Sequence, residues 1–399
     1  MAVCLKRSRD PTKVRRCNGV RIILGSYMVR YPLGGNMSWA LQWLVGLKSL
    51  GHDVYFVEKS AYPNACYDPS KNVLGDDCSY GVREVQTLLE RFDLKGRWCF
   101  VDIAGRHHGL SAERLKSLFS SADLYVDMGA HGVWAEESRG AGARVLVEGE
   151  PGFTQIKMEK KLAAGETLPE YDHYYTAGSN IGTHSSTAPT AGKEWRLVWN
   201  MVATELFQTD ASEPGASFTT VMNWQSHDPI DFRGTTYGQK DVEFKKFMQL
   251  PRMADAPLEV AVSGRQVPTQ ELRDSGWRIR DGREATLSFD SYREYIRRSR
   301  GEFSVCKNIF VATRSGWFSD RSAAYLASGR PVVLQDTGFS AHLPCGRGLF
   351  AVSSVEQAVE AIKEINSNYS LHSNAAREIA AEYLDAKRLL RKFLDELGF

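Results

Sequence analysis

Residues 313–340, TRSGWFSDRSAAYLASGRPVVLQDTGFS, hold the densest set of groups able to bind an anion. Ser319 is placed to cap a short helix over 320–328, where its side-chain oxygen can accept from the first free amides. Gly329 stands where that helix would end, and Pro331 forbids its continuation. A loop feeding a helix N-terminus presents unpaired N–H groups and a positive dipole end, an ordinary place for phosphate. Ser315, Gly316, Trp317, Phe318, Ser319, Asp320 and Arg321 are therefore candidates for diphosphate binding. The strand PVVLQ (331–335) runs into a second polar turn, which puts Thr337 and Gly338 at a strand's carboxyl end, where open α/β sheets take ligands. Lys240, Arg265, Lys307, Arg314 and Arg321 are cations at candidate strand ends and loops. Arg265, directly after Gly264, and Arg321 are preferred, because arginine offers a planar fork to phosphate oxygens. Trp224 and Trp317 are candidates to stack on a nucleotide base, with plain packing an equal alternative. The whole stretch also fits an ordinary loop–helix–strand of an α/β core.

Proton transfer has four candidates. His131 lies between glycines in MGAHG (128–132), an open backbone from which an imidazole can face a cleft as general base. Asp127 and Glu150 are rivals near neighbouring strand ends, with Glu148 beside them. His107 and His108 have no carboxylate at ligand spacing and no third ligand, so no metal is expected there. The seven cysteines show no CxxC spacing and suit a reducing, cytoplasmic setting.

The elements that position these groups alternate in type. VRIILGS (20–26) reads as a buried strand, followed by a glycine loop, a helix capped by Asn36 or Ser38 and running to about 50, and the strand VYFVEKS (54–60). That is a βαβ unit. Its first turn lacks G-x-G-x-x-G, so a nicotinamide role with Glu58 on a ribose ranks last; Gly34, Gly35 and Asn36 more plausibly frame an acceptor cleft. Further strands are expected at 98–105, 122–129, 143–152 and 173–178, with helices at 84–92 and 112–119. Polar residues 179–217 read as a link between domains. A second α/β series follows, with strands at 218–226, 258–265 and 277–281 and helices at 241–250 and 291–299. An amphipathic helix begins near Ser354, and one long helix is expected over 373–397. Residues 1–19 form a basic arm without apolar periodicity. A net charge of +2 implies no general affinity for nucleic acid, and no apolar run is long enough to span a membrane. Tyr27, Tyr31, Trp39, Trp134 and Phe153 suggest a partly apolar acceptor cleft, though core packing explains them equally well.

The stretches EPGFTQI (150–156), FTTVMNW (218–224), YGQKDVEF (237–244) and residues 313–340 resemble the GT-B glycosyltransferases, in particular the bacterial group related to glycosyltransferase group 1 and spore-maturation-type proteins. The resemblance implies an α/β protein of two Rossmann-like domains facing across a cleft. An acceptor domain would cover 20–200, a nucleotide-sugar domain 216–370, and the C-terminal helix would cross back to the first. It also implies sugar transfer from a nucleotide-diphosphate donor, with no metal or other cofactor. One departure is specific. Many retaining members carry two glutamates eight positions apart, and here the equivalent positions hold Gly316 and Ala324. Direct displacement assisted by an acceptor-side base is the expectation, with a nucleotide-sugar epimerase or a non-catalytic binding scaffold as alternatives.

Overall fold

The computed structural model describes residues 19–129, 131–207, 210, 212–213 and 215–399; the basic arm lies outside them up to position 18. Two mainly parallel sheets dominate. The first contains β1 (Arg21–Gly25), β2 (Asp53–Lys59), β5 (Trp98–Val101), β6 (His107–Gly109), β7 (Leu124–Asp127), β8 (Ala143–Glu148), β9 (His173–Thr176) and β10 (Trp195–Leu197), with β3 (Cys66–Asp68) and β4 (Val73–Gly75) forming a separate hairpin. Its order is β10-β9-β8-β7-β1-β2-β5-β6, and only β6 runs antiparallel to its neighbour. The second contains β11 (Phe218–Asn223), β14 (Leu258–Ser263), β15 (Arg278–Asp281), β16 (Gly301–Ser304), β17 (Val332–Gln335) and β18 (Leu349–Val352), in the parallel order β15-β14-β11-β16-β17-β18. The hairpin of β12 (Ile230–Phe232) and β13 (Thr235–Tyr237) precedes β14. Central strands such as β17, and β1 after Arg21, are buried because helices cover both faces, which is why they read as nearly unbroken apolar runs.

Several local expectations change. The first helix, Gly34–Ser49, is entered from Leu33 without a side-chain cap, three residues ahead of Asn36. The region 241–250 breaks into Lys240–Phe244, one 3₁₀ turn and Leu250–Met253, because Pro251 can only enter near a helix start. The segment 179–217 carries β10, an edge strand of the first sheet. The long helix expected over 373–397 is two: Tyr369–Tyr383 and Ala386–Leu397. Asp385 restarts it, its carboxylate accepting from Arg388 N at 2.9 Å, while Leu384 O and Ala386 N bond Val202. Only the second half reaches the first sheet's helices, where Phe393 meets Trp43 edge-on at 5.3 Å.

One apolar core runs through both halves, joining Leu41 and Leu44 of the first helix to Phe289, Tyr292 and Ile296 of the helix Phe289–Arg298. Contact there is close enough to require glycine. A Cβ on Gly34 would lie 2.3 Å from Ser288 O and 2.5 Å from Tyr292 Cβ, whereas one on Gly35 meets nothing within 4 Å. Gly34→Ala is expected to destabilise by about 1–3 kcal/mol through overpacking. Gly35→Ala should be neutral or stabilising by up to about 1 kcal/mol, since alanine costs less backbone entropy in a helix. Thermal unfolding of the pair checks this, and equal Tm values would remove Gly34 from the lobe contact.

Candidate active site

Strand order reverses between β1 and β7 in the first sheet and between β11 and β16 in the second, and such switch points open crevices at the strands' carboxyl ends. The loops leaving these four strands carry Tyr27, His131, His227 and Lys307. The two crevices face each other. Lys307 Nζ binds Glu150 Oε1, His227 Nε2 lies 3.9 Å from Glu150 Oε2, and the Phe153 and His227 rings stack at 5.3 Å. Glu150 and Phe153 come from the first half of the chain and His227 and Lys307 from the second, so the cleft is shared.

Buried carboxylates shape its first-lobe wall. Glu58 accepts from Met28 N, Val29 N and Arg30 N at 2.6–3.0 Å and from Arg30 Nε at 2.9 Å. It ties down the loop after β1 and has no capacity left for a ribose. Asp127 is fully buried and accepts from His131 N (3.1 Å), Gly132 N (2.8 Å) and the Tyr171 hydroxyl (2.6 Å). That corrects its reading as a base: it is an anchor. Burial pushes Glu148 up to about 7 against its bonds to Thr176, Gln155 and Glu150 N.

The groups left over at the cleft are not anchored in this way. His131 is exposed, and Tyr27, Glu150 and Asp320 are half-buried, yet protein walls each closely enough to shift its proton affinity. Desolvation lowers His131, which favours the neutral imidazole able to take a proton. The left-handed φ of +55° at His131 aims the residue between Gly129 and Gly132. Burial alone would raise Glu150, but the Lys307 ammonium outweighs it and the carboxyl is held low. Glu150 Oε2 is buried without a hydrogen-bond partner. Desolvation raises Asp320, opposed by Arg321, and Tyr27 is raised by burial and then by the charges of Glu150 and Asp320. Tyr27 also meets Tyr31 and Trp39 at ring distances of 6.5 and 6.0 Å. Trp134, by contrast, is buried against Phe119.

The anion-binding tip is built as expected but is occupied by protein. Ser319 caps the helix Asp320–Ala327 by accepting from Arg321 N at 3.2 Å. However, Ser315 O and Gly316 O accept from Asn180 N and Ser179 N, Phe318 O accepts from Asn200 Nδ2, and Gly316 N bonds Thr337 O. A Cβ on Gly316 would sit 2.2 Å from Ser179 Oγ, and one on Gly338 2.5 Å from Asn180 Nδ2. Thr337 Oγ1 donates to Trp317 O at 2.6 Å, and Trp317 packs on Phe310 at 4.8 Å. Ser315, Gly316, Trp317, Phe318, Ser319, Thr337 and Gly338 thus form a seam between the lobes rather than an open cradle. Asp320, next in sequence, is half-buried and lies near enough to Tyr27 for their charges to interact.

Cation rankings reverse as well. Arg321 is committed to Glu302 Oε1 (2.5 Å), Ser304 Oγ (2.7 Å) and Val221 O (3.1 Å). Arg265 is exposed and paired with Asp228, Arg314 is exposed, and Trp224 is core, 5.3 Å from Phe244. Gly264, at φ +101°, lets β14's exit turn pass Trp224 N and Gln225 O, where a Cβ would come within 3.1 Å. Gly34 faces the second lobe, Gly35 is open, and Asn36 donates to Tyr31 O at 3.3 Å. The group that stands out is Lys240: buried, with no hydrogen bond or ion pair among the described residues, and beside Arg321 and Lys307. Its spacing from β11 carried no signal of that isolation.

Comparison with solved structures finds the same architecture over nearly the whole chain. An alpha-glucosyltransferase in complex with UDP-glucose and DNA containing an abasic site aligns over 96% of this chain and 100% of its own, at TM-score 0.58 and 10% identity. HepE from Anabaena, in complex with UDP and glucose, aligns over 95% and 99%, at TM-score 0.55 and 12% identity. A glycosyltransferase from Rickettsia africae aligns over 95% and 97%, at TM-score 0.51 and 11% identity. No family model and no curated relative match by sequence. The likeness is one of fold: the chain has the GT-B architecture of two Rossmann-like lobes, as its sequence implied. Among the described residues no helix is long and apolar enough to cross a membrane.

Burial pushes the Lys240 amine down to about 7 from 10.5, with Arg321 and Lys307 adding to the shift. An amine depressed by folding releases its proton on folding between those values. Its penalty is therefore full below pH 7 and fades as pH rises towards 10.5. Lys240→Met is expected to raise Tm most at pH 6, and the gap to wild type should close by pH 10. A pH-independent gap would place the ammonium in water.

Proposed function

We propose that this protein transfers a sugar from a nucleotide-diphosphate donor to a small-molecule or glycan hydroxyl. The observation that carries the reading is Lys240, a buried amine with no hydrogen bond or ion pair among the described residues, beside Lys307 at the second lobe's switch point. A diphosphate there would restore the Lys240 charge and draw Lys307 from Glu150. The GT-B fold, shared with structures that hold UDP and UDP-glucose, supports a donor of this class.

In the step proposed, the bond between the anomeric carbon and the leaving diphosphate oxygen breaks as the acceptor oxygen attacks that carbon. His131 takes the acceptor's proton. Lys240 and Lys307 neutralise the departing diphosphate, so no metal is needed for this step. Glu150 Oε2 and Asp320 accept from sugar or acceptor hydroxyls, and Tyr27, Tyr31 and Trp39 wall the acceptor side. The absent glutamate pair at Gly316 and Ala324 favours direct displacement. With a net charge of +2, we expect no nucleic-acid acceptor.

UDP is the first ligand to test, followed by UDP-glucose. UDP should raise the wild-type Tm, Lys240→Met should lose that rise, and Arg265→Ala should keep it. His131→Ala should keep the UDP shift while transfer falls about 10²–10⁴-fold, the usual yield of a positioned base. A shift that survives Lys240→Met and disappears in Arg265→Ala would move the donor site out of the cleft.

A further inference from the structure

A second cluster lies at the far edge of the first sheet. Cys78, just ahead of the helix Ser79–Arg91, Asp102, directly after β5, and His108, on β6, bring one ligand atom each within 4.8 Å of the others. Cys78 and Asp102 are buried, and His108 opens partly to solvent. Sequence spacing concealed the group, because Cys78 is 30 residues from His108.

Local folding explains the convergence. Asp102 Oδ1 accepts from Ala104 N and Arg106 N, both at 3.0 Å, which folds the turn between β5 and β6. Oδ2 is left pointing at His108 Nε2, 3.2 Å away, and Cys78 Sγ approaches the same nitrogen at 3.6 Å. Hydrogen bonding fits the pair poorly, since one Nε2–H would be shared between Oδ2 and sulfur, a weak acceptor. Tetrahedral zinc matches both distances. Bonds of about 2.3 Å to sulfur and about 2.0–2.1 Å to nitrogen and oxygen give edges of about 3.6 Å for S···N and about 3.4 Å for N···O.

We propose that Cys78, Asp102 and His108 bind a Zn²⁺ ion through thiolate, carboxylate and imidazole, with water in the fourth position. The thiol proton leaves to solvent on binding. Arg106 Nε, which holds Oδ2 at 2.7 Å from an otherwise exposed side chain, is the competitor the ion displaces. The ion clasps the antiparallel edge strand to the helix Ser79–Arg91. It lies at the opposite side of β1 and β2 from the strands β7 and β8 that lead to the transfer site, and it takes no part in the transfer step.

The test titrates the full-length, metal-free protein with Co²⁺, then displaces it with Zn²⁺. One equivalent of Co²⁺ should produce a thiolate-to-cobalt charge-transfer band in the near ultraviolet. Cys78→Ser should abolish the band, His108→Ala should weaken Zn²⁺ binding at least tenfold, and Arg106→Gln should strengthen it. Zn²⁺ should also raise the wild-type Tm but not that of His108→Ala, which serves if Cys78→Ser fails to fold. A missing band, a band that survives Cys78→Ser, or affinity unchanged by both His108→Ala and Arg106→Gln overturns the site.

Discussion

Buried carboxylates at strand ends, each turned back onto the amides of the loop that follows or faces it, hold this structure's working edge together. Glu58, Asp127, Glu148 and Asp102 all do so. Loops leaving a parallel sheet carry backbone N–H groups with no strand to pair with, and leaving such groups buried and unmade is costly. An ionised carboxylate satisfies two or three at once, and those bonds in turn offset its own desolvation. The tyrosine, histidine and glutamate at the cleft are therefore presented by loops with little freedom to rearrange.

The same economy separates anchors from reagents. Glu58 and Asp127 have spent their oxygens, so neither can accept from a substrate. Glu150 retains one oxygen without a partner, and His131 retains its ring. Opposite them, Arg321 is internally neutralised by Glu302, whereas Lys240 has no ion pair among the described residues. The side chains that folding leaves unspent are the ones the proposed transfer step draws on.

Much of the fold was legible because its signals are local. The Ser319 cap, the glycine after that helix at φ +66° and the alternation of apolar runs with helical stripes are each decided within a few residues. The site was less legible because its properties are long-range. Whether a carboxylate is spent depends on partners 28 to 44 residues away, as for Glu58 with Arg30, Glu148 with Thr176 and Asp127 with Tyr171. The tip at 315–319 was read correctly as a cap yet incorrectly as open, since the residues that close it come from 179–200. Edge elements such as β6 are only three residues long, too short for any periodicity to show.

Closure of that seam leaves the cleft's electrostatics to decide what can enter. Glu150 crosses from the first lobe to Lys307 of the second, so the cation of one crevice is held by the acid of the other. In the proposed reading, an incoming diphosphate competes with Glu150 for Lys307 and meets in Lys240 an amine with no ion pair among the described residues. Charge repulsion between the anion and the released carboxylate then favours Glu150 turning towards hydroxyls rather than back to the lysine. On that proposal a polyhydroxylated group joined to a phosphate would satisfy both lobes together, and a bare phosphate or a bare sugar only one.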